Sequence, residues 1–239
     1  MAKKVADQLV DTLEKAGVRR IYAVTGDSLN EVNEAVRKNG RLRWIHVRHE
    51  ETGAYAAAAE AQLTGELACC AGSSGPGHVH LINGLYDAQR SGARVLAIAS
   101  TIPSREFGTE YFQETNTIKL FDDCSYYNQV ATTPEQFPRM LQGAMQAAIS
   151  SRGVGVIGLP GDFPTRQRVC PAEQEIRELA DLLNNAKKVT LYCGIGAKDA
   201  HPELVQLAKL LNAPVAYSFK GKMEIQYDNP NEVGMTGLL

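Results

Sequence analysis

The stretch Leu67-Ala68-Cys69-Cys70-Ala71 is apolar throughout, and Ser73-Ser74-Gly75-Pro76-Gly77 follows it almost directly. A run of small apolar residues is typical of a β-strand that is covered on both faces, and the serine, glycine and proline residues after it indicate a turn. Strands covered on both faces occur in parallel sheets with helices on either side. This stretch therefore predicts an α/β fold.

The same alternation of strand and helix extends in both directions from this stretch. Apolar runs predict strands at 21–24, 44–47, 67–71, 95–99, 126–131 and 154–159. Helical spacing of apolar residues predicts helices at 5–16, 28–39, 51–63, 78–89 and 134–149, with Ser28 and Glu31 spaced as a capping box. Residues 101–117 are irregular. We therefore expect residues 1–164 to form a doubly wound, mostly parallel sheet with helices on both faces.

A second region follows a polar linker at 165–171. The pattern there predicts helices at 175–184 and 202–211 and strands at 189–193 and 215–219. About 68 residues remain from position 172 onward, which is too few for a complete doubly wound domain. We therefore expect 172–239 to be an incomplete second α/β domain.

Composition and charge exclude several classes of protein. The 239 residues contain 25 Lys+Arg and 27 Asp+Glu, and a formal charge of −2 supplies no field that would attract nucleic acid. No run reaches the ~18 apolar residues of a membrane span. The N-terminus becomes polar at Asp7, where a signal peptide needs an apolar stretch. We expect a cytoplasmic protein with no nucleic-acid partner.

The cysteines indicate neither a zinc site nor a disulfide framework. Their number is odd and no C-x-x-C pair occurs, so we expect buried free thiols. They are Cys69, Cys70, Cys124, Cys170 and Cys193.

Polar segments directly after the predicted strands are the candidate functional residues, because open parallel sheets bind ligands beyond the carboxyl ends of their strands. Glu50 is the clearest candidate, since the start of the following helix favours a carboxylate that can share a proton with a ligand. An ordinary first-turn acid remains the alternative for Glu50 and Glu51, and a simple turn remains the alternative for Gly75-Pro76-Gly77. The segments are Thr25-Gly26-Asp27-Ser28, His49-Glu50-Glu51, Ser73-Ser74-Gly75-Pro76-Gly77 and Tyr111-Phe112-Gln113-Glu114.

Taken together and in order, these segments resemble the N-terminal pyrimidine-binding domain of thiamine-diphosphate enzymes of the pyruvate oxidase and acetohydroxyacid synthase family. The resembling pieces are Val24-Thr25-Gly26-Asp27, Val47-Arg48-His49-Glu50-Glu51, Gly75-Pro76-Gly77, Asn83-Gly84-Leu85-Tyr86-Asp87-Ala88, Tyr111-Phe112-Gln113-Glu114 and Gly158-Leu159-Pro160-Gly161-Asp162. The chain is similar in particular to flavin-linked pyruvate:quinone oxidoreductases, and His80, where many synthases carry Asn, also favours the oxidase branch. That similarity extends to Gly194-Ile195-Gly196-Ala197, Lys220-Gly221-Lys222 and Gly234-Met235-Thr236-Gly237.

The resemblance implies roles for individual residues. Glu50 would be the cofactor-activating glutamate, and Phe112 and Gln113 would reach the substrate of a neighbouring subunit as an apolar wall and a hydrogen-bond donor. For Phe112 a core plug, and for Gly194-x-Gly196 a simple turn, remain alternatives. The implied thiamine diphosphate contacts are Gly26, Ser74, Gly75, Pro76, Gly77, His80 and Asn83. The implied flavin contacts are Gly194, Gly196, Lys220, Gly221, Lys222, Gly234, Met235 and Thr236.

The activity implied by the resemblance is oxidative decarboxylation of pyruvate, with electrons passed to FAD and then to quinone or oxygen. A homodimer or homotetramer is expected, with a peripheral membrane or quinone contact made by sequence beyond Leu239. An acetolactate-synthase-like carboligase and a catalytically silent assembly or regulatory subunit are the alternatives.

One departure from the family pattern concerns the metal. The family binds Mg²⁺ at a Gly-Asp-Gly motif followed by Asn, whereas this chain has only Gly26-Asp27-Ser28 and Gly161-Asp162-Phe163. Neither fits by context, so we expect no metal ligands here and a Mg²⁺ site on a domain absent from the chain. The isolated chain is accordingly expected to be inactive and to bind neither thiamine diphosphate nor flavin tightly.

Overall fold

The computed structural model describes residues 4–166, 173–194, 197, 200–218 and 221–235. The chain divides into two compact units, Met1–Val169 and Cys170–Leu239. In the first unit the strands are β1 (Arg20–Ala23), β2 (Arg43–His46), β3 (Ala68–Gly72), β4 (Val95–Thr101), β5 (Tyr127–Val130) and β6 (Val154–Pro160). Its helices are α1 (Val5–Lys15), α2 (Asn30–Asn39), α3 (Glu50–Thr64), α4 (Pro76–Val79), α5 (Ile82–Arg90), α6 (Thr117–Leu120) and α7 (Phe137–Ser151).

These strands form one six-stranded sheet in the order β2-β1-β3-β4-β6-β5, and every neighbouring pair is parallel. The central strands β3, β4 and β6 are buried along their whole length, as continuous apolar runs require. The predicted doubly wound parallel sheet is confirmed.

Successive side chains of each strand enter opposite cores, because strand side chains alternate between the two faces of a sheet. Cys69 packs in the core that contains Leu9 of α1 and Phe137 of α7. Cys70 packs in the other core, with Leu85 of α5 and the alanines of α3. The two layers of helices are thereby held on a single sheet.

The helices α3 and α5 approach each other closely because alanine and glycine line their contact. A Cβ atom on Gly84 would lie 2.5 Å from the Cβ of Ala54 and 2.7 Å from the backbone nitrogen of Tyr55. Glycine at position 84 therefore fixes the distance between α3 and α5. It thereby also fixes where the residues at the start of α3 lie.

The thiols of the first unit are buried and free, as predicted. Cys69, Cys70 and Cys124 are fully buried, and Cys193 in the second unit is partly exposed. Burial raises the pKa of Cys70 to about 12 and that of Cys124 to about 11. Cys170 lies outside the described residues.

The prediction of one continuous helix over 78–89 is wrong. The chain forms α4, which begins at Pro76, and the separate helix α5 from Ile82. The reason is a tight turn between them, in which the N–H of Leu81 bonds to the carbonyl of His78 only three residues back. The N–H of His78 is meanwhile held by the carbonyl of Ser73 at 2.8 Å, which fixes α4 to the end of β3.

The predicted capping box at Ser28 is also wrong. Residues Asp27–Leu29 form a short 3₁₀ turn, α2 begins afterwards at Asn30, and no side chain caps it. The Ser28 hydroxyl is instead hydrogen-bonded to Ser73 and to the N–H of Ser74. A long-range contact has therefore replaced the local cap.

In the second unit the elements are α8 (Glu173–Asn185), β7 (Leu191–Cys193), α9 (His201–Leu211), β8 (Val215–Tyr217), α10 (Lys222–Ile225) and β9 (Glu232–Met235). The three strands form a parallel sheet in the order β7-β8-β9, with a register shift at Val215/Ala216. Its core contains Leu204, Val215 and Ile225. The sequence pattern did not predict α10 or β9. No helix in the described ranges is both long enough and apolar enough to cross a membrane.

Candidate active site

The candidate site lies at the edge of the first sheet where the carboxyl ends of the parallel strands meet. From β1 the chain passes to β2 on one side, and β3 then returns to the other side of β1. This reversal of strand order opens a crevice beyond β1 and β3, which is the usual ligand position in open α/β sheets. The loops after β1, β2 and β3 reach this crevice.

Serine side chains join the loops after β1 and β3. The hydroxyl of Ser28 lies 2.9 Å from that of Ser73 and accepts the N–H of Ser74 at 3.0 Å. A Cβ atom on Gly26 would lie 2.3 Å from the Ser73 hydroxyl oxygen. Gly26 is therefore required for the two loops to meet.

Glu50 is the first residue of α3, and only 8% of it is exposed. Its Oε2 lies 3.2 Å from Nδ1 of His80. Its Oε1 lies 3.3 Å from the point that a Cβ atom on Gly77 would occupy. One oxygen of the buried Glu50 carboxylate is therefore hydrogen-bonded to His80. The other oxygen faces the backbone of Gly77, which carries no side chain.

Two histidines cover the outer side of this carboxylate. The rings of His49 and His80 are stacked with centroids 4.4 Å apart, and their side chains are 47% and 43% exposed. Glu51 accepts the Asn83 amide at 3.0 Å and lies 3.7 Å from His49. Asn83, an expected cofactor contact, is thus bonded to Glu51.

The loop after β4 packs on the glycine loop through Gln113. The Ser74 hydroxyl donates to Oε1 of Gln113 at 3.0 Å, so the amide N–H₂ of Gln113 is the part that can donate elsewhere. A Cβ atom on Gly75 would lie 2.7 Å from the Cβ of Gln113. Phe112 is 79% exposed, so the alternative of a core plug for Phe112 is wrong.

His78 holds the two loops together, and the sequence analysis gave it no role. Its ring is fully buried, with Nδ1 at 2.7 Å from the Ser100 carbonyl and Nε2 at 2.6 Å from the Thr115 hydroxyl. A carbonyl can only accept, so Nδ1 carries the proton and Nε2 accepts from Thr115. Burial lowers the pKa of His78 against the opposing effect of its hydrogen bonds to Ser100 and Ser73.

A cavity of about 500 Å³ lies beside the site, at the ends of β4 and β5. Residues after β4 and β5 line it, and these are Thr101, Ile102, Phe107, 114–118, Val130 and Thr132. The buried hydroxyl of Thr117 has no hydrogen-bond partner within the described ranges. The sequence analysis did not find this cavity because its wall is assembled from separate loops.

The aspartates of the two Gly-Asp pairs make local hydrogen bonds. Asp27 accepts the N–H of Ser28, and Asp162 accepts the N–H and hydroxyl of Ser104 at 2.7 and 2.9 Å. Burial opposes the ionised form of Asp162, but these bonds and Arg166 outweigh it and lower its pKa. The expectation that neither aspartate is a Mg²⁺ ligand stays a prediction.

Some of the expected flavin contacts lie at the carboxyl ends of β7 and β8. A Cβ atom on Gly221 would lie 2.9 Å from the Cys193 carbonyl and 3.2 Å from Gly194. Lys222 begins α10, whereas Gly234 and Met235 belong to β9. Gly196, Lys220 and Thr236 lie outside the described residues.

The fold agrees with comparisons to known families. Residues 3–120 match the model of the thiamine pyrophosphate enzyme N-terminal TPP binding domain, and residues 176–239 match that of the thiamine pyrophosphate enzyme central domain. The chain therefore belongs to the thiamine pyrophosphate (thiamine diphosphate) enzymes and carries sequence of their N-terminal and central domains.

Individual relatives fall on both branches of the family. An uncharacterized 42.6 kDa protein in the isoamylase 3′ region of Pseudomonas amyloderamosa is 51% identical over 99% of this chain and 64% of its own length. Pyruvate oxidase of Lactiplantibacillus plantarum is 35% identical over 90% of this chain and 38% of its own length. Acetolactate synthase of Arabidopsis thaliana is 28% identical over 99% of this chain and 38% of its own length. The chain thus spans less than two thirds of each of these relatives.

Proposed function

We propose that the first unit holds the aminopyrimidine end of thiamine diphosphate on Glu50, in an enzyme that decarboxylates pyruvate oxidatively and passes electrons to FAD and then to quinone or oxygen. The observation that carries this proposal is the buried Glu50 carboxylate, whose Oε1 faces Gly77 at the switch point. A carboxylate beside a side-chain-free backbone fits a flat ring that offers a nitrogen for a hydrogen bond. The residues present therefore fit this end of the cofactor.

Thiamine diphosphate, when bound, supplies the carbanion chemistry that an amino-acid side chain cannot supply. When the cofactor is bound, the Glu50 carboxyl group would share a proton with the ring nitrogen, which would make it the acid–base group of the site. His80 orients the carboxyl group through Oε2. The surface under the ring is formed by Gly26, Ser74, Gly75, Pro76 and Gly77. Gln113 and Phe112 supply an amide donor and an apolar wall to the substrate of a neighbouring subunit.

The assignment to pyruvate oxidation is supported by the higher identity to pyruvate oxidase, at 35%, than to acetolactate synthase, at 28%. We further propose that FAD contacts the second unit near Gly194, where an added Cβ would lie 3.7 Å from the Ser218 hydroxyl. Mg²⁺ is proposed as the diphosphate partner, with ligands from outside the residues described above. A carboligase of the acetolactate synthase type is the second candidate, because that relative matches almost the whole chain.

Assembly as a homodimer or homotetramer is part of the proposal. Its support is the exposure of Tyr55 and Leu63 on α3 and of Tyr86 on α5, which are large apolar side chains on the outer face of the unit. A peripheral membrane or quinone contact remains a prediction from the resemblance, and a cytoplasmic location remains a prediction from the sequence pattern.

The test supplies pyruvate, thiamine diphosphate, Mg²⁺ and FAD under anaerobic conditions to the complete enzyme, with a diphosphate-binding domain present. The oxidase proposal expects bleaching of the flavin absorbance in proportion to carbon dioxide released. Acetolactate without net flavin reduction would assign the synthase activity instead. Cofactor binding to Glu50 without release of carbon dioxide would indicate the catalytically silent subunit.

A further inference from the structure

Three potential metal ligands converge on the outer side of the crevice. One ligand atom each from His49, Glu50 and His80 lies within 4.8 Å of the other two. One of these separations is the 3.2 Å between Oε2 of Glu50 and Nδ1 of His80. In a tetrahedral zinc site with bonds of 2.0–2.1 Å, neighbouring ligand atoms are about 3.3 Å apart. The Glu50–His80 pair already has this spacing.

The exposure of the three side chains also suits a metal ion. Glu50 is buried and fixed at the start of α3, whereas the two imidazoles are nearly half exposed. His49 and His80 can therefore turn about their side-chain bonds toward a metal ion without unpacking a core. Solvent reaches the cluster from the same side and can supply the fourth ligand.

We propose that His49, Glu50 and His80 form a binding site for a first-row transition metal ion of the Zn²⁺, Co²⁺ or Ni²⁺ type. Two imidazole nitrogens and one carboxylate oxygen are the donor set that such ions prefer, whereas Mg²⁺ selects oxygen ligands. The site goes beyond the proposed function and does not require thiamine diphosphate. When the ion is bound, Oε2 of Glu50 is a metal ligand and no longer accepts from His80.

The test is a titration of the tag-free chain with CoCl₂ and with ZnCl₂, followed by calorimetry and, for cobalt, by visible absorption. We expect one ion per chain and the visible bands of cobalt bound to nitrogen and oxygen ligands. H80A and H49A should each weaken binding at least tenfold, and E50Q should do the same. H46A removes an exposed histidine outside the cluster and should leave the affinity within twofold.

Circular dichroism of each variant checks that it is folded, and MgCl₂ serves as the metal control. The proposal is overturned if H80A and H49A bind Zn²⁺ as tightly as the parent chain. It is equally overturned if H46A loses as much affinity as H80A, or if the parent chain shows no saturable binding. None of these readouts depends on turnover or on thiamine diphosphate, so they separate this site from the proposed function.

Discussion

Replacing His78 by Leu should destabilise the first unit by removing its two buried hydrogen bonds. Leucine fills a similar volume, so the Ser100 carbonyl and the Thr115 hydroxyl lose their partner without a large cavity. An unsatisfied buried group costs about 1–3 kcal/mol, and the partly exposed Thr115 can recover some of that from water. We expect a loss of about 2–4 kcal/mol in the free energy of unfolding, against a total of about 5–15 kcal/mol.

The measurement is urea unfolding followed by circular dichroism. With a slope of about 2 kcal/mol per molar urea, the midpoint should fall by about 1–2 M. H78N keeps a donor for the Ser100 carbonyl but does not reach Thr115, so its midpoint should lie between those of the parent and H78L. H46L, at an exposed histidine at the end of β2, should change stability by less than about 0.5 kcal/mol.

H78L should also loosen the loop after β4, because Thr115, which bonds to His78 in the parent, belongs to that loop. Arg105 in this loop is exposed, so trypsin should cut after it faster in H78L than in the parent. A loss below about 1 kcal/mol with unchanged cleavage at Arg105 would show that His78 does not join the two loops.

The remaining predictions concern pH, catalysis and packing. Because burial lowers the pKa of His78 in the folded state, its stabilising contribution is complete above the unfolded-state pKa near 6.5 and is lost as pH falls toward the lower folded value. Urea midpoints should therefore show the parent losing its advantage over H78L as pH falls. In steady-state assays of the complete enzyme, E50Q should reduce pyruvate turnover by roughly 10²–10⁴-fold, whereas E51Q should stay within about tenfold of the parent; equal effects would contradict the role of Glu50. G84A places a Cβ 2.5 Å from the Cβ of Ala54, so the free energy of unfolding should fall by about 1–3 kcal/mol. An unchanged melting temperature would refute that close contact.

The fold was predictable because buried parallel strands are recorded directly in sequence as continuous apolar runs. β3 and β4 are of this kind, and their predicted bounds agree with the structure to within two residues. The break between α4 and α5 was not predictable, because apolar spacing continues through it. It depends on the tight turn in which the N–H of Leu81 bonds to the carbonyl of His78, and the spacing of apolar residues carries no signal of that turn.

The site was predictable where a single residue follows a strand and was missed where several loops meet. Glu50 could be found because a carboxylate between an apolar strand and an alanine-rich helix is visible along the chain. His78 is also visible, but its buried position and its bond to Thr115 bring together residues 37 positions apart. The stacking of His49 on His80 and the cavity at Thr101 depend on long-range packing in the same way.

In the loop Gly75-Pro76-Gly77, the two glycines are each required for a different reason. Gly75 has φ +66°, a backbone conformation that side chains rarely adopt, and it lies against the backbone and side chain of Gln113. Gly77 has no such backbone demand, but a Cβ there would press on Ser73 at 3.1 Å and on Oε1 of Glu50 at 3.3 Å. The first glycine therefore sets where the loop after β4 lies, and the second keeps open the space in front of the carboxylate. Because Pro76 begins α4 between them, one short turn both positions Gln113 and leaves space in front of Oε1 of Glu50.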